Sequence, residues 1–273
     1  MSTTILSEQY KDLTTVAKQF KSAYGNANPF PHITFSDFFN SDFLSLVRNE
    51  FPDLSKQDTL RYNNPNEKKF ASKGESIMGP YTRQLIHFLQ SEPFLVFLQE
   101  LTSIQETLVG DPYLIGGGLH EIKRGGLLKV HADFNKHAMT GLDRRLNILV
   151  YLNKEWKEEY GGHFELWDKE MKKAEKRILP TFNTLAMFST TDTSFHGHPD
   201  PLTCPEGDSR KSIALYYYSN GRPAHEIDVN QLNHSTLFRA RSGHENEVVN
   251  SGQGLKSKIK LFIPPIIFKI LGK

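Results

Sequence analysis

Cysteine is nearly absent from this chain: Cys204 is the only one in 273 residues. That excludes an intramolecular disulfide and a cysteine-built zinc site, and makes a reducing compartment, the cytoplasm, the expected setting. An excess of charge of one sign is missing too. The 33 basic and 31 acidic residues leave a formal charge of +2, a field too weak to imply a nucleic-acid partner. No run of about eighteen apolar residues occurs, so a conventional transmembrane helix is excluded. The stretch Met1 to Lys18 alternates polar and apolar residues without an apolar core segment or small-residue cleavage site, and no secretory signal is expected there. Internal repeats and low-complexity segments are likewise lacking. What is present is the composition of a globular protein, 38% hydrophobic and 23% charged, with chain enough for one main domain.

The pattern changes along the chain. Ile5 to Ala23 has apolar residues at helical spacing and stops at Gly25. His32 to Phe39 reads as a strand, and Ser41 to Phe51 as an amphipathic helix capped by Asn40 or Ser41. Asp53 to Ser76 is polar and reads as a long loop; Thr82 to Thr102 is helical, interrupted at Pro93. From Tyr113 onward short β runs take over: Gly118–Lys123, Leu127–Ala132, Arg145–Leu152, His163–Trp167, Thr184–Ser189 and Lys211–Ser219. Gly125-Gly126 is expected to turn a hairpin, Gly161-Gly162 to make a turn or bulge, and the charge run Lys169 to Arg177 to form an exposed hairpin loop. The expected organisation is a helical flank over residues 1–110, a β core over 111–220 and an extension over 221–273. That extension holds a polar linker, Ser242 to Gly254, and a basic, apolar tail, Leu255 to Lys273, whose interleaved lysines and aliphatics suit contact with a membrane surface or packing on the core.

The phrase carrying chemistry is Lys129-Val130-His131-Ala132-Asp133-Phe134. Alternate residues of an extended chain share a face, so His131 and Asp133 can address one ion while Val130 and Ala132 pack the other way. Alone, a His-x-Asp pair is commonly just a solvated strand end. About sixty residues on, Ser194-Phe195-His196-Gly197-His198-Pro199 can supply a second imidazole. Two histidines and a carboxylate leave coordination positions open, an arrangement suited to non-haem Fe(II). Ser209-Arg210-Lys211-Ser212 then opens a strongly β-forming run, with Arg210 and Ser212 on one face as a receptor for a carboxylate. No glycine-framed serine elbow appears, and Gly116-Gly117-Gly118 lacks the lysine and hydroxyl of a phosphate loop.

In this order, His131-x-Asp133, the distal histidine loop and Arg210-x-Ser212 resemble the prolyl-4-hydroxylase-like branch of the iron(II)/2-oxoglutarate-dependent oxygenases. Supporting phrases are Pro31 to Phe39, Leu149-Val150-Tyr151-Leu152-Asn153 with Trp156, and Gly161 to Trp167, so the likeness runs from about Pro29 to Asn220. The resemblance implies a mainly β, α+β fold with a double-stranded β-helix (jelly-roll, cupin-like) core. It further implies Fe(II) on His131, Asp133 and a distal histidine, and 2-oxoglutarate held through Arg210 and Ser212. Dioxygen is consumed, succinate and CO2 are released, and ascorbate is an optional reductant. Related halogenases lack the triad carboxylate, so Asp133 argues for hydroxylation. The distal ligand is expected to be His196 rather than His198, because Thr193 to Phe195 reads as a strand entering the core and His198 precedes the turn-rich Pro199-Asp200-Pro201.

Other residues have blander readings. His120, His137 and His163 read as hydrogen-bonded structural histidines, Tyr113, Tyr216 and Tyr218 as packing residues, and Arg124, Arg144 and Arg145 as parts of solvated turns. The expected activity is hydroxylation of a C–H bond in a small molecule or peptide, with a prolyl or other amino-acid side chain fitting the resemblance. Its rival is a non-catalytic cupin-like binding or sensor module. The residues do not choose among free amino acid, peptide, lipid and sugar, and they say nothing of oligomeric state.

Overall fold

A computed structural model describes residues 4–226 and 233–249. The helices are α1 (Leu13–Gly25), α2 (Ser41–Asn49), α3 (Pro80–Leu89) and α4 (Glu92–Thr102). Strands β1 (His32–Ser36), β2 (Leu60–Asn64) and β3 (Glu67–Ala71) lie among them. They are followed by β4 (Gly118–Lys123), β5 (Leu127–Ala132), β6 (Asp143–Tyr151), β7 (Phe164–Trp167), β8 (Ala174–Ile178), β9 (Thr184–Ser189), β10 (His196–His198), β11 (Ser209–Ser219) and β12 (Leu237–Phe238). Pro93 sits in the first turn of α4, where its missing N–H costs nothing, so the expected interruption is the boundary between α3 and α4. Asn40 caps α2, its side-chain oxygen accepting from the amides of Asp42 and Phe43 at 3.1 and 3.0 Å.

The strands hydrogen-bond in the order β1-β9-β6-β11-β4-β3-β5-β10-β7-β8, with β12 on β5 and β2 on β3. From β4 to β11 the chain alternates between two groups: β4, β6, β9 and β11 belong to one, and β5, β7, β8 and β10 to the other. This alternation is the winding of a double-stranded β-helix. Period-two side-chain placement then sorts each strand into an outer and an inner face. Leu146, Ile148 and Val150 of β6, Leu185 and Met187 of β9, and Ile213, Leu215 and Tyr217 of β11 join the helices in one large core. Their alternates point into the roll. Tyr151, Ala186 and Phe188 meet Phe164, Leu166 and Ile178 from the opposing strands.

Several expectations need correction. The stretch Asp53 to Ser76 is no plain loop but carries β2 and β3, joined by a turn in which the Asn64 side chain accepts from the amides of Asn66 and Glu67 at 2.9 and 3.1 Å. Cations replace aliphatics as cover for its rings: Arg61 lies 5.7 Å from the Phe70 ring centre and Lys69 4.8 Å from that of Tyr62. Gly125-Gly126 makes a tight turn but no hairpin, because β4 and β5 each pair with β3 instead of with one another. The run Lys169 to Arg177 contains most of β8, whose Glu175, Lys176 and Arg177 face solvent while Ile178 is buried against β7. Arg144 and Arg145, expected in a solvated turn, are buried in β6, and Arg145 pairs with Glu106 at 2.7 Å. The start of the supposed linker is docked: Glu247 meets Lys129 at 3.3 Å, and Asn66 exchanges hydrogen bonds with the Val249 backbone. The basic, apolar tail Leu255 to Lys273 lies outside the described residues. Among those described, no helix is long and apolar enough to cross a membrane.

Candidate active site

His131 is the penultimate residue of β5, Asp133 directly follows the strand, and His196 opens β10 directly opposite His131 in the antiparallel register. The two imidazole centres are 4.4 Å apart. Nε2 of His131 lies 3.5 Å from Oδ1 of Asp133, and Nε2 of His196 lies 3.5 Å from Oδ2. One ligand atom from each residue falls within 4.8 Å of the others, which makes this a metal-sized donor set. Gly197 permits the close pairing: a Cβ there would stand 2.8 Å from the Leu128 carbonyl oxygen and 3.0 Å from that of Lys129. Any side chain would push β10 off β5 and carry His196 away from His131.

Backbone carbonyls define the tautomers. Nδ1 of His131 is 2.8 Å from the Lys129 oxygen, and Nδ1 of His196 is 2.9 Å from that of Ser194. A carbonyl only accepts, so each Nδ1 donates and each Nε2 turns a lone pair toward the shared space. Burial pushes His196 down to about 3 against the pull of Asp133, so its ring is neutral at physiological pH. Burial would raise the Asp133 carboxyl, but the Arg144 guanidinium and the two imidazoles hold it well below the usual carboxylate range. Oδ2 of Asp133 accepts from Asn147 at 2.6 Å and lies 3.1 Å from Nη2 of Arg144. Arg144 is itself fixed between the rings of Tyr216 and Phe134, 3.5 and 4.4 Å from their centres. Two imidazoles and an ionised carboxylate with open positions match the donor chemistry of a non-haem Fe(II) centre.

The same cavity, about 580 Å3 with its open mouth included, is lined by Arg210, Ser212, Tyr216, His120, Lys69 and His198 as well as the triad. Arg210 is buried. Its Nε donates to the Gly162 carbonyl at 2.8 Å and Nη2 to the Tyr151 hydroxyl at 3.2 Å, and neither partner carries a compensating charge. Ser212 is two residues further along β11 on the same face. Tyr216 donates to the Gly116 carbonyl at 2.8 Å, and His120 Nε2 binds that oxygen at 3.0 Å. A second groove, lined by Arg61, Lys68, Arg124, Tyr62 and Phe70, has Lys69 in common with this cavity.

Residues 117–218 match the 2OG-Fe(II) oxygenase superfamily. This stretch is a 2OG-Fe(II) oxygenase domain. The oxygenase domain and its flank resemble prolyl 3-hydroxylase OGFOD1 of Xenopus laevis, at 26% identity over 219 residues covering 77% of this chain and 39% of that protein. The Mus musculus protein of the same name is 32% identical over 79 residues, 28% of this chain and 14% of its own length. The chain thus spans about two fifths or less of the curated relatives it matches. Among solved structures, a Pseudomonas putida prolyl-4-hydroxylase superposes with a TM-score of 0.55 at 12% identity, over 77% of this chain and 100% of that one. A prolyl hydroxylase from Trichoplax adhaerens, in complex with a hypoxia inducible factor oxygen degradation domain peptide fragment, gives 0.53 at 16% identity, over 77% and 92%. Both place the oxygenase domain in the prolyl-4-hydroxylase-like fold, and the superfamily uses Fe(II), 2-oxoglutarate and dioxygen.

The structure thus brings His131, Asp133, His196, Arg210 and Ser212 to one cavity of the oxygenase domain. The local reasoning for His196 needs correction: Asp192 and Thr193 form a turn, and the strand runs from His196 to His198. Tyr113 is exposed, His137 is bonded to Asp111 at 3.2 Å and His163 to Glu158 at 2.6 Å, so these lie apart from the cavity. Arg124 is tied to the carbonyls of Thr203 and Cys204. Sequence reasoning missed Asn147, the charge role of Arg144, and Lys69. Asn147 carried a signal, as a polar residue on the inner face of an otherwise apolar strand.

The buried imidazoles make stability depend on pH. His120 and His196 are both pushed down to about 3, mainly by burial, and Asp133 is held low. Below about pH 6.5 the unfolded chain takes up protons that the folded one refuses. Stability is therefore full above that value and lost as pH falls, at about 1.4 kcal/mol per unit for each such histidine. The midpoint of urea unfolding, measured in chelator, is expected to fall steadily between pH 7 and 5; a flat profile would contradict the buried, neutral assignment.

Proposed function

We propose that this chain is an Fe(II)- and 2-oxoglutarate-dependent hydroxylase acting on a prolyl side chain of a polypeptide. One observation carries the reading: a buried His131–Asp133–His196 donor set shares its cavity with a buried guanidinium, Arg210, that has no acidic partner among the described residues. A buried cation left unpaired is costly unless a ligand completes it. The dicarboxylate 2-oxoglutarate offers one end to a metal and the other to Arg210. The names of the relatives support proline as target, and the basic groove that has Lys69 in common with the cavity suits an extended substrate better than a small metabolite.

On this reading His131, Asp133 and His196 hold the iron, and Arg210 with Ser212 receives the distal carboxylate. Iron, 2-oxoglutarate and dioxygen together supply an oxidant able to cleave an unactivated C–H bond. The protein's residues do the positioning. Lys129 and Ser194 carbonyls hold the Nδ1 atoms and so turn both Nε2 atoms toward the shared space, Asn147 and Arg144 keep Asp133 ionised and oriented, and Phe164 and Phe188 pack His196 and keep water from its rear face. The catalytic unit is residues 111–220, with 1–110 as its flank and 221–273 as an extension; β12 sets Phe238 beside His131. The single free, buried cysteine agrees with a cytoplasmic setting. The experiment is succinate release from 2-oxoglutarate under air with Fe(II), alone and with proline-containing peptides followed by mass spectrometry. Release that a peptide stimulates, with one oxygen gained on proline, is the expected result. Release that no proline peptide stimulates would remove the prolyl assignment, and no release from folded, iron-loaded protein would remove the enzyme.

A further inference from the structure

His198 has no partner where one is needed. It is 4% exposed, lines the cavity, and neither Nδ1 nor Nε2 makes a hydrogen bond among the described residues. A buried polar group left unsatisfied is costly, so a ring with two bare nitrogens in a binding cavity points to a ligand that supplies the missing partner. Position says which part of the ligand. His198 is two residues beyond His196 on the same face of β10, hence roughly 6.6 Å further along the strand and away from the donor set. Its register partner is Leu128, as His131 is that of His196. Arg210 and Lys69 line the same cavity beside it. Lys69 is already paired with Glu67 at 3.3 Å, whereas Arg210 has only neutral partners.

We propose that His198 is a second receptor for the distal carboxylate of 2-oxoglutarate, donating a ring N–H to it beside Arg210. This rests on the function proposed above. A neutral imidazole has one donor and one acceptor, so a carboxylate in the cavity satisfies the donor. Arg210 supplies charge and His198 supplies direction. The pair favours a keto acid with a carboxylate at its far end over one that ends in a methyl group.

The test is calorimetric titration of Mn(II)-loaded protein with 2-oxoglutarate and with 2-oxopentanoate, which keeps the metal-binding end and lacks the distal carboxylate. His198→Leu and the ring-sized His198→Phe remove the donor, and His198→Asn keeps one; thermal melting verifies that each folds. The expected result is a loss of about tenfold or more in 2-oxoglutarate affinity for the apolar variants, from removal of a hydrogen bond to a charged group. Mn(II) affinity and 2-oxopentanoate affinity should stay unchanged, and asparagine should recover much of the loss. Equal 2-oxoglutarate affinity in wild type and the apolar variants would overturn the role of His198 alone, as would an equal loss for both keto acids. Wild-type protein that binds Mn(II) but no 2-oxoglutarate would overturn the proposed function and this inference together.

Discussion

Replacing His196 with alanine is expected to abolish tight Fe(II) binding and turnover, while His198→Ala keeps iron affinity close to that of the native protein. Both rings lie on the inner face of β10, so the contrast is not one of burial. It comes from what each ring faces. Nε2 of His196 stands 3.5 Å from the Asp133 carboxylate, and its tautomer is fixed by the Ser194 carbonyl. Among the described residues His198 belongs to no such donor set and its ring is held by no hydrogen bond. Losing a residue that merely orients a ligand typically costs about 10–100-fold in metal affinity, so losing a ligand should cost more than about 100-fold. Anaerobic titration of Fe(II) into both variants measures it. Tight binding by His196→Ala with loss in His198→Ala would exchange the two roles.

Arg210→Ala is expected to weaken 2-oxoglutarate binding by about two to four orders of magnitude, the equivalent of about 3–5 kcal/mol for breaking a buried charge pair. Iron affinity should barely move, because Arg210 lies on β11 and touches none of the triad. The ligand-free protein should respond in the opposite sense. Its guanidinium is buried against a carbonyl and a hydroxyl with no counter-charge, so removing it relieves desolvation and should leave the melting temperature unchanged or raised. Arg145→Ala is the control, since that side chain is neutralised by Glu106 and its loss should destabilise the fold without touching cofactor affinity. Unchanged 2-oxoglutarate dependence in Arg210→Ala would move the carboxylate receptor elsewhere in the cavity.

The β core was readable because its strands alternate: one face of β6, β9 and β11 is aliphatic, and three of the expected strands, Gly118–Lys123, Leu127–Ala132 and Thr184–Ser189, keep their expected ends. The β2–β3 hairpin and β8 were not, since they bury little and are covered by lysine and arginine stems that resemble loop composition. The His-x-Asp phrase and the arginine strand could be found along the chain, because both depend on period-two spacing within one element. The environment of Asp133 could not. Arg144 and Asn147 reach it from β6, across the roll, and only the folded chain shows that they fix its charge and orientation. For the same reason it is the pairing of β10 with β5, not the turn chemistry around Pro199, that groups His196 with His131 and Asp133.

The most direct test of the account is optical: anaerobic addition of Fe(II) and 2-oxoglutarate to the purified protein. A weak visible charge-transfer band that needs both components, and that disappears in His196→Ala, is the predicted result. Folded protein that takes up Fe(II) yet shows no such band at saturating 2-oxoglutarate would contradict it.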